Sequence, residues 1–461
     1  LTQLKNLKGV DIIFISSTDH NELKPNHGLF QMFEFFRDNL NMKSIFVSTL
    51  HSIYENKEDV FDISSLGGTT QLATHVNFSL RHTHTTKWRT YFESGPRGEA
   101  RYNKMLSNLL IENLPEHKFI IVADKIDIEF MILEKVIRHF NSKFMIISGV
   151  NNTWTGFCSY PKEYKCDKFT NGGCDINCPA IIGNKRYDSS YVKKNYLLTE
   201  WFIKRNMQSI YLNVGCSFSL NEANDSILFK DVKKCLIPLK NVQEPDSFEQ
   251  LWDFKHLNRL DLSESILENS SVDFDHVIMW SAYSATQGRK GMNFFIESLK
   301  MLKSMIPQEQ FKRILIVVCA KKDKKIYDVL QGLGMPIFWR FLGREDYTSM
   351  VSACDIYCST TISDAGPRTT YESAAMGTPI VSFDNCNASD FLNDQNGALV
   401  PTYDCEQFAL ELHRLLSLNE EDKKKMSYNL YDTYRKLMDT KALADKWENF
   451  FKTTEVFERD V

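Results

Sequence analysis

No stretch of the 461 residues reaches the roughly 18 consecutive apolar residues that a membrane-crossing helix needs. The strongest apolar runs are short, at 118–123, 143–150 and 314–320, and they suit buried strands. Neither sign of charge is in large excess, since 55 Lys plus Arg stand against 59 Asp plus Glu, for a formal net charge of -4. A dedicated nucleic-acid binder usually carries a basic excess, so no nucleic-acid partner is expected. A local basic patch for peripheral membrane contact stays compatible with this balance. Glycine and proline are sparse, at 20 and 12, and there is no low-complexity tract or short internal repeat. That composition excludes a collagen-like fibre, a coiled coil and a disordered tail. No signal-peptide pattern is visible, and a chain beginning at Leu1 is expected to have been trimmed.

What is present is ordinary globular material: 43% hydrophobic and 25% charged residues. The length allows two large domains or three small ones. The eleven cysteines are an odd number, and seven are scattered, at Cys216, Cys235, Cys319, Cys354, Cys358, Cys386 and Cys405. Several sit in apolar runs, where a reduced cysteine acts as a small hydrophobe. The pattern is not a secreted disulfide framework, and a reducing cytoplasm is expected.

Short apolar runs alternate with amphipathic stretches. In the first half, strands are expected at 10–16, 43–49, 118–123, 143–148, 209–214 and 234–238, with 51–100 polar and irregular. In the second half they are expected at 275–280, 313–320, 336–342, 355–358 and 379–383, with helices between them. Such alternation implies βαβ units and parallel sheets. Two such sets imply an α/β protein of two Rossmann-like, doubly wound domains: an N-terminal one over 1–240 and a C-terminal one over 265–440. The boundary is expected in the polar stretch 240–265, and 441–461 is expected to pack back on the N-terminal domain. Ligands of open parallel sheets bind beyond the carboxyl ends of the strands, so the cleft between the domains is the default site.

The sequence after the strand at 355–358 is STTISDAGPRTTYESAAMGTPIVSF. Gly366 permits an unusual backbone or a close ligand approach. Pro367 suits the first turn of a helix that Gly377 would end. The N–H groups of 366–370, including Arg368 and Thr369, would then form an anion-attracting helix terminus. Asp364 stands ahead of that helix and Glu372 within it, where carboxylates could accept from sugar hydroxyls. The plain alternative is a capped helix with two solvated acids. Earlier, Arg289-Lys290-Gly291 opens another helix, and two cations there could neutralise a diphosphate or form only a solvated basic loop. Phe341-Leu342-Gly343 ends a further strand.

Taken in order, Lys290-Gly291 with its helix, Phe341-Leu342-Gly343 with its helix, Asp364-x7-Glu372, GTPIV and NDQNGALVP (393–401) resemble the retaining, nucleotide-sugar-dependent glycosyltransferases of the GT-B fold. The likeness is greatest to family four, with its bacterial capsule, colanic-acid and O-antigen members, and it covers about 270–435. The resemblance implies two domains facing across a cleft. It implies a UDP- or GDP-sugar donor, a glycan or lipid-linked glycan acceptor, and no cofactor for catalysis. Glu372 would hold the donor ribose, and Asp364 would stand where the family has the first Glu of its motif. The backbone from Ala365 to Thr369, with Gly366 and Pro367, would line sugar and diphosphate; Arg289 and Lys290 would face the diphosphate; Gly343 would lie near the base. Gly28, in Asn26-His27-Gly28, falls where members carry a glycine-rich loop. The family's Arg before its Lys-Gly pair is replaced by Ala285.

Cys158, Cys166, Cys174 and Cys178 form C-x7-C-x7-C-x3-C within a polar insert, 153–180. A closed structural zinc site, disulfides and unlinked thiols are all compatible with this spacing. Some family members carry a similar cysteine insert after a strand ending in His-Asp; here that strand leads into Gly149-Val150-Asn151-Asn152, so His20, His27 or an Asn would replace the His. The segment 81–89, RHTHTTKWR, could bind acceptor or touch a membrane, or be a solvated loop.

The expected function is therefore sugar transfer by a glycosyltransferase in the cytoplasm, peripheral to the inner face of the plasma membrane. A sugar-nucleotide-binding protein that has lost catalysis, an epimerase of the same fold and a zinc-containing interaction module are the alternatives. No DxD-type metal motif lies in a suitable loop.

Overall fold

The computed structural model describes residues 9–16, 28–50, 61–65, 73–79, 107–108, 110–122, 130–148, 153–156, 158, 160–180, 189–240, 242, 244–267 and 273–454. Two α/β lobes are built on two sheets. The N-terminal sheet contains β1 (Val10–Ser16), β2 (Ser44–Leu50), β3 (Phe61–Ser65), β4 (Ala73–Ser79), β5 (His117–Val122), β6 (Lys143–Ser148), β7 (Ile210–Val214) and β8 (Lys233–Leu236). Their order is β3-β4-β2-β1-β5-β6-β7-β8. The β3–β4 pair is antiparallel, while the others described are parallel. The C-terminal sheet contains β9 (His276–Ser284), β10 (Ile314–Lys321), β11 (Ile337–Arg340), β12 (Ile356–Ser359), β13 (Ile380–Phe383) and β14 (Gly397–Val400). Their order is β11-β10-β9-β12-β13-β14, and the described pairings are all parallel.

The central strands are apolar without alternation because both sheet faces are covered. Val277 through Trp280 and Ile314 through Ala320 are all buried. A strand covered on both faces reads as a continuous hydrophobic run. The flanking helices include α1 (Gly28–Asn39), α2 (Phe130–Phe140), α3 (Ser189–Asn206), α4 (Ser217–Asp225), α5 (Phe248–Leu267), α6 (Met292–Met305), α7 (Arg344–Ser352), α8 (Arg368–Ala375), α9 (Glu420–Leu437) and α10 (Thr440–Thr453).

Two features depart from the sequence-based expectations. β3 and β4 lie inside 51–100, where FDISS and ATHVNFS are short and half polar. The polar stretch 240–265, for which only a domain boundary is expected, holds the helix α5 over most of its length. This helix holds the C-terminal lobe through polar contacts: Asn258 Nδ2 donates to Ser352 Oγ at 2.8 Å and Arg259 Nη1 to Ala353 O at 3.0 Å. A helix fixed by polar as well as apolar neighbours has a weak hydrophobic period.

The chain finally returns to the first lobe. On α10, Trp447 and Phe451 meet Phe36 of α1 with ring centroids at 4.9 and 5.7 Å. Phe451 also meets Phe119 at 5.6 Å, and Phe450 meets Tyr211 at 5.5 Å. Burying each such ring contributes about 2–3 kcal/mol. Tyr434 of α9 ties the connection between the lobes as well, donating to Val242 O at 2.9 Å.

Candidate active site

The C-terminal sheet reverses its winding between β9 and β12. Loops leaving neighbouring strands at such a switch point diverge to opposite faces and open a crevice. Both chemically marked segments leave from here. β9 runs into the short turn Gly288–Lys290, and β12 into residues 360–367.

The two loops are fastened to each other. Ile362 N donates to Arg289 O at 2.9 Å, and Thr360 Oγ1 donates to Gly291 O at 2.8 Å. Trp280 Nε1 donates to the same hydroxyl at 3.1 Å. Gly291 has φ 72°, and a Cβ there would stand 2.0 Å from Thr360 O. Only glycine can carry the chain from the turn into α6 at this point.

Gly366 has φ 125°, a backbone state that L side chains rarely adopt. Pro367 is the N-cap of α8 rather than part of its first turn, with φ -55° and no side-chain cap. Asn387, fully buried, braces this terminus: its Nδ2 donates to Pro367 O at 3.1 Å, and its Oδ1 accepts from Thr370 Oγ1 at 2.8 Å. The side of α8 that carries its partial positive charge is thus held in place.

Asp364 joins the two loops electrostatically. Its Oδ2 accepts from Lys290 Nζ at 2.7 Å and from Arg289 Nη1. All three side chains are largely buried, at 13%, 12% and 15% exposure for Asp364, Lys290 and Arg289. Burial alone would push the Asp364 carboxyl up, but the Lys290 and Arg289 charges reverse this and hold it below the ordinary range. Among these three side chains two cations share one carboxylate, leaving one positive charge in excess. Glu372 pairs with Arg368 Nε at 3.0 Å on the same helix.

Beneath the site lies a hydroxyl network that sequence reasoning missed. Ser281 Oγ lies 2.8 Å from Tyr347 Oη and 2.9 Å from Tyr357 Oη. Burial raises both phenols well above their ordinary range, with the Glu372 charge adding to it. Nothing in the spacing of a lone Ser and two Tyr on three different elements announces such a cluster.

The N-terminal lobe faces this surface. Cys216, just ahead of α4, donates its thiol to Ala365 O at 3.4 Å, and Ser217 N donates to Asp390 Oδ2 at 3.0 Å. Burial pushes the Cys216 thiol up to about 11, so it remains a neutral thiol donor. The loop 364–367 therefore lies at the seam between the lobes.

The other expected residues are more dispersed. Gly343 is the N-cap of α7 beyond β11, two strands from β9, which is about 10 Å across the sheet. Its helix reaches the site through Tyr347. Gly28 starts α1 of the N-terminal lobe. His20, His27, Asn151, Asn152 and the segment 81–89 lie outside the described residues. Cys158, Cys166, Cys174 and Cys178 line one small cavity, and all eleven cysteines carry thiols. Burial and the three neighbouring thiols push Cys158 up to about 12. Among the described residues, no three His, Cys, Asp or Glu are positioned to hold a metal ion.

Comparison with known proteins follows the same lines. Residues 281–433, a third of the chain, match the family model described as glycosyl transferases group 1. No curated protein matches in sequence. Among solved structures, sucrose-phosphate synthase from Thermosynechococcus elongatus superimposes with a TM-score of 0.63 at 12% identity, covering 96% of this chain and 99% of that one. An α,α-trehalose 6-phosphate synthase from Burkholderia multivorans gives 0.61 at 13% identity, with 97% of each chain covered. A trehalose-6-phosphate structure from E. coli, bound with UDP-2-fluoro glucose, gives 0.59 at 13% identity over 96% of this chain and 99% of that one.

The fold is that of a GT-B glycosyltransferase. Two Rossmann-like lobes face one another, and the matched domain is the lobe that carries Arg289, Lys290, Asp364 and α8.

Proposed function

We propose that the protein is a retaining glycosyltransferase, most like family four, moving a sugar from a UDP- or GDP-linked donor to a glycan or lipid-linked glycan. One observation carries the reading: at the switch point Arg289 and Lys290 close on Asp364, three residues ahead of the Pro367 N-cap of α8, and the next residue, Ala365, touches the second lobe. In the transfer, the bond from the anomeric carbon to the β-phosphate oxygen breaks and a bond to an acceptor hydroxyl oxygen forms. The acceptor proton leaves with the departing phosphate, on the same face of the sugar.

The leaving diphosphate gains negative charge, and fixed cations and N–H dipoles offset it without reorganising. Asp364 gathers both cations on one oxygen, so their positive charge is in place before the donor arrives. Glu372 is assigned the donor ribose, with Arg368 orienting its carboxylate. Shutting the lobes excludes water, which would otherwise take the sugar. The motif order from Lys290 to Pro401 supports retention and the family-four likeness.

A lipid-linked acceptor would be met at the inner face of the plasma membrane. The cysteines scattered through apolar strands support a reducing cytoplasm. Among the described residues, no helix is long and apolar enough to cross a membrane.

The test is a thermal-shift panel of UDP, GDP and ADP with their sugars. A ligand that binds only the folded state raises its stability, so one base should stand out. The UDP-2-fluoro glucose of the E. coli structure makes uridine the first base to try. No shift with any of them would refute the reading.

A further inference from the structure

The cysteine-rich insert does more than cover the N-terminal lobe. Its short turn Pro161–Tyr164 reaches the opposite lobe at Arg289. The Tyr160 ring lies under the Arg289 guanidinium, 3.9 Å from ring centroid to charge centre. Glu163 Oε1 accepts the Arg289 backbone N–H at 3.3 Å. The same oxygen would stand 2.9 Å from any Cβ at Gly288, so the absence of a side chain there permits the approach.

The insert is itself firmly supported. Lys162 Nζ lies 3.7 Å from Glu222 Oε1 and 4.2 Å from the Phe218 ring centre, both on α4. Thr155 Oγ1 donates to Cys158 O at 2.6 Å, and Lys168 Nζ donates to Asp175 at 2.6 Å. Phe169 is buried, and its carbonyl accepts from Ile227 N at 3.1 Å. Arg289 is therefore held on one side by Asp364 of its own lobe and on the other by an aromatic face of the opposite lobe.

We propose that Tyr160 and Glu163 are positioning residues that complete the donor-diphosphate site from the N-terminal lobe by fixing the plane and backbone of Arg289. The proposal rests on the glycosyltransferase reading. An Arg guanidinium is planar and directional, so its orientation decides whether it meets a leaving oxygen. With the lobes apart, Arg289 keeps its charge and Asp364 but loses the Tyr160 face and the Glu163 contact. The insert thus couples lobe closure to the alignment of one cation.

The experiment uses the full chain as wild type, Tyr160→Leu, Tyr160→Phe, Glu163→Ala and Glu163→Gln. Nucleoside diphosphate release from UDP- and GDP-sugars gives kcat and donor KM, and melting curves report folding. For Tyr160→Leu and Glu163→Ala, kcat should fall about tenfold with donor KM within about threefold, since the charge stays while its alignment is lost; a largely desolvated cation–π contact is strong enough to hold that alignment. Tyr160→Phe keeps the ring, and Glu163→Gln keeps an accepting oxygen, so both should recover wild-type kcat. Unchanged kcat in Tyr160→Leu and Glu163→Ala would overturn the positioning role alone, as would a Tyr160→Phe chain as slow as Tyr160→Leu. A wild type that neither binds nor turns over these donors would overturn the underlying reading, and the proposal with it.

Discussion

Lys290→Ala removes one of the two cations that Asp364 gathers. Lys290 Nζ sits 2.7 Å from the carboxylate in a side chain only 12% exposed, so its charge is poorly screened. Two unit charges about 4 Å apart interact by about 4 kcal/mol at an effective dielectric near 20. If half a charge develops on the leaving phosphate oxygen, the loss specific to the transition state is about 2 kcal/mol, or roughly thirtyfold in rate. Asp364 keeps Arg289 as its partner, so the carboxylate is not left buried without a counter-charge and the fold should survive. Steady-state release of nucleoside diphosphate from the donor sugar should show kcat/KM down by at least about thirtyfold, with Lys290→Arg recovering part of it. A Lys290→Ala chain within about threefold of wild type would refute the placement of the diphosphate against this cluster.

Three further outcomes follow from the same structure. Glu372→Ala should cost at least about 2 kcal/mol in kcat/KM, mainly through donor binding; an unchanged donor KM would count against its assignment to the ribose. Gly291→Ala sets a Cβ 2.0 Å from the Thr360 carbonyl at φ 72°, so denaturant unfolding should show a loss of at least about 2 kcal/mol. Burial pulls Lys255 from its ordinary 10.5 down to about 8, although the Asp355 charge opposes this. Between those values the unfolded chain binds more protons than the folded one, so the penalty is full below about pH 8 and fades as pH rises toward 10.5. Lys255→Met should therefore raise stability at pH 7 by about 1–2 kcal/mol and give little gain above pH 10, as read from melting curves across pH.

Much of the C-terminal lobe is legible in the sequence because its strands are covered on both faces. Ile314 through Ala320 reads as one apolar run and is β10. β3 and β4 are opaque: among the described residues β3 pairs only with β4, at the end of the sheet, and both strands carry polar residues along their length. The helix α5 was hidden by its mix of polar anchors, Asn258 and Arg259 among them. Within the site, spacing singles out Asp364, Arg289 and Lys290, yet it does not say that one oxygen of Asp364 takes both cations. Local sequence carries residue type and distance along the chain, whereas that pairing depends on two loops meeting across the switch between β9 and β12. The same holds for Tyr160, whose contact with Arg289 spans both lobes.

The most direct measurement is a crystal structure of the full chain with the nucleoside diphosphate that shifts its melting most. The account predicts phosphate oxygens about 3 Å from Lys290 Nζ, from the Arg289 guanidinium and from backbone N–H groups of the segment leading into α8. A diphosphate bound elsewhere, with Asp364 still closed on both cations, would contradict it.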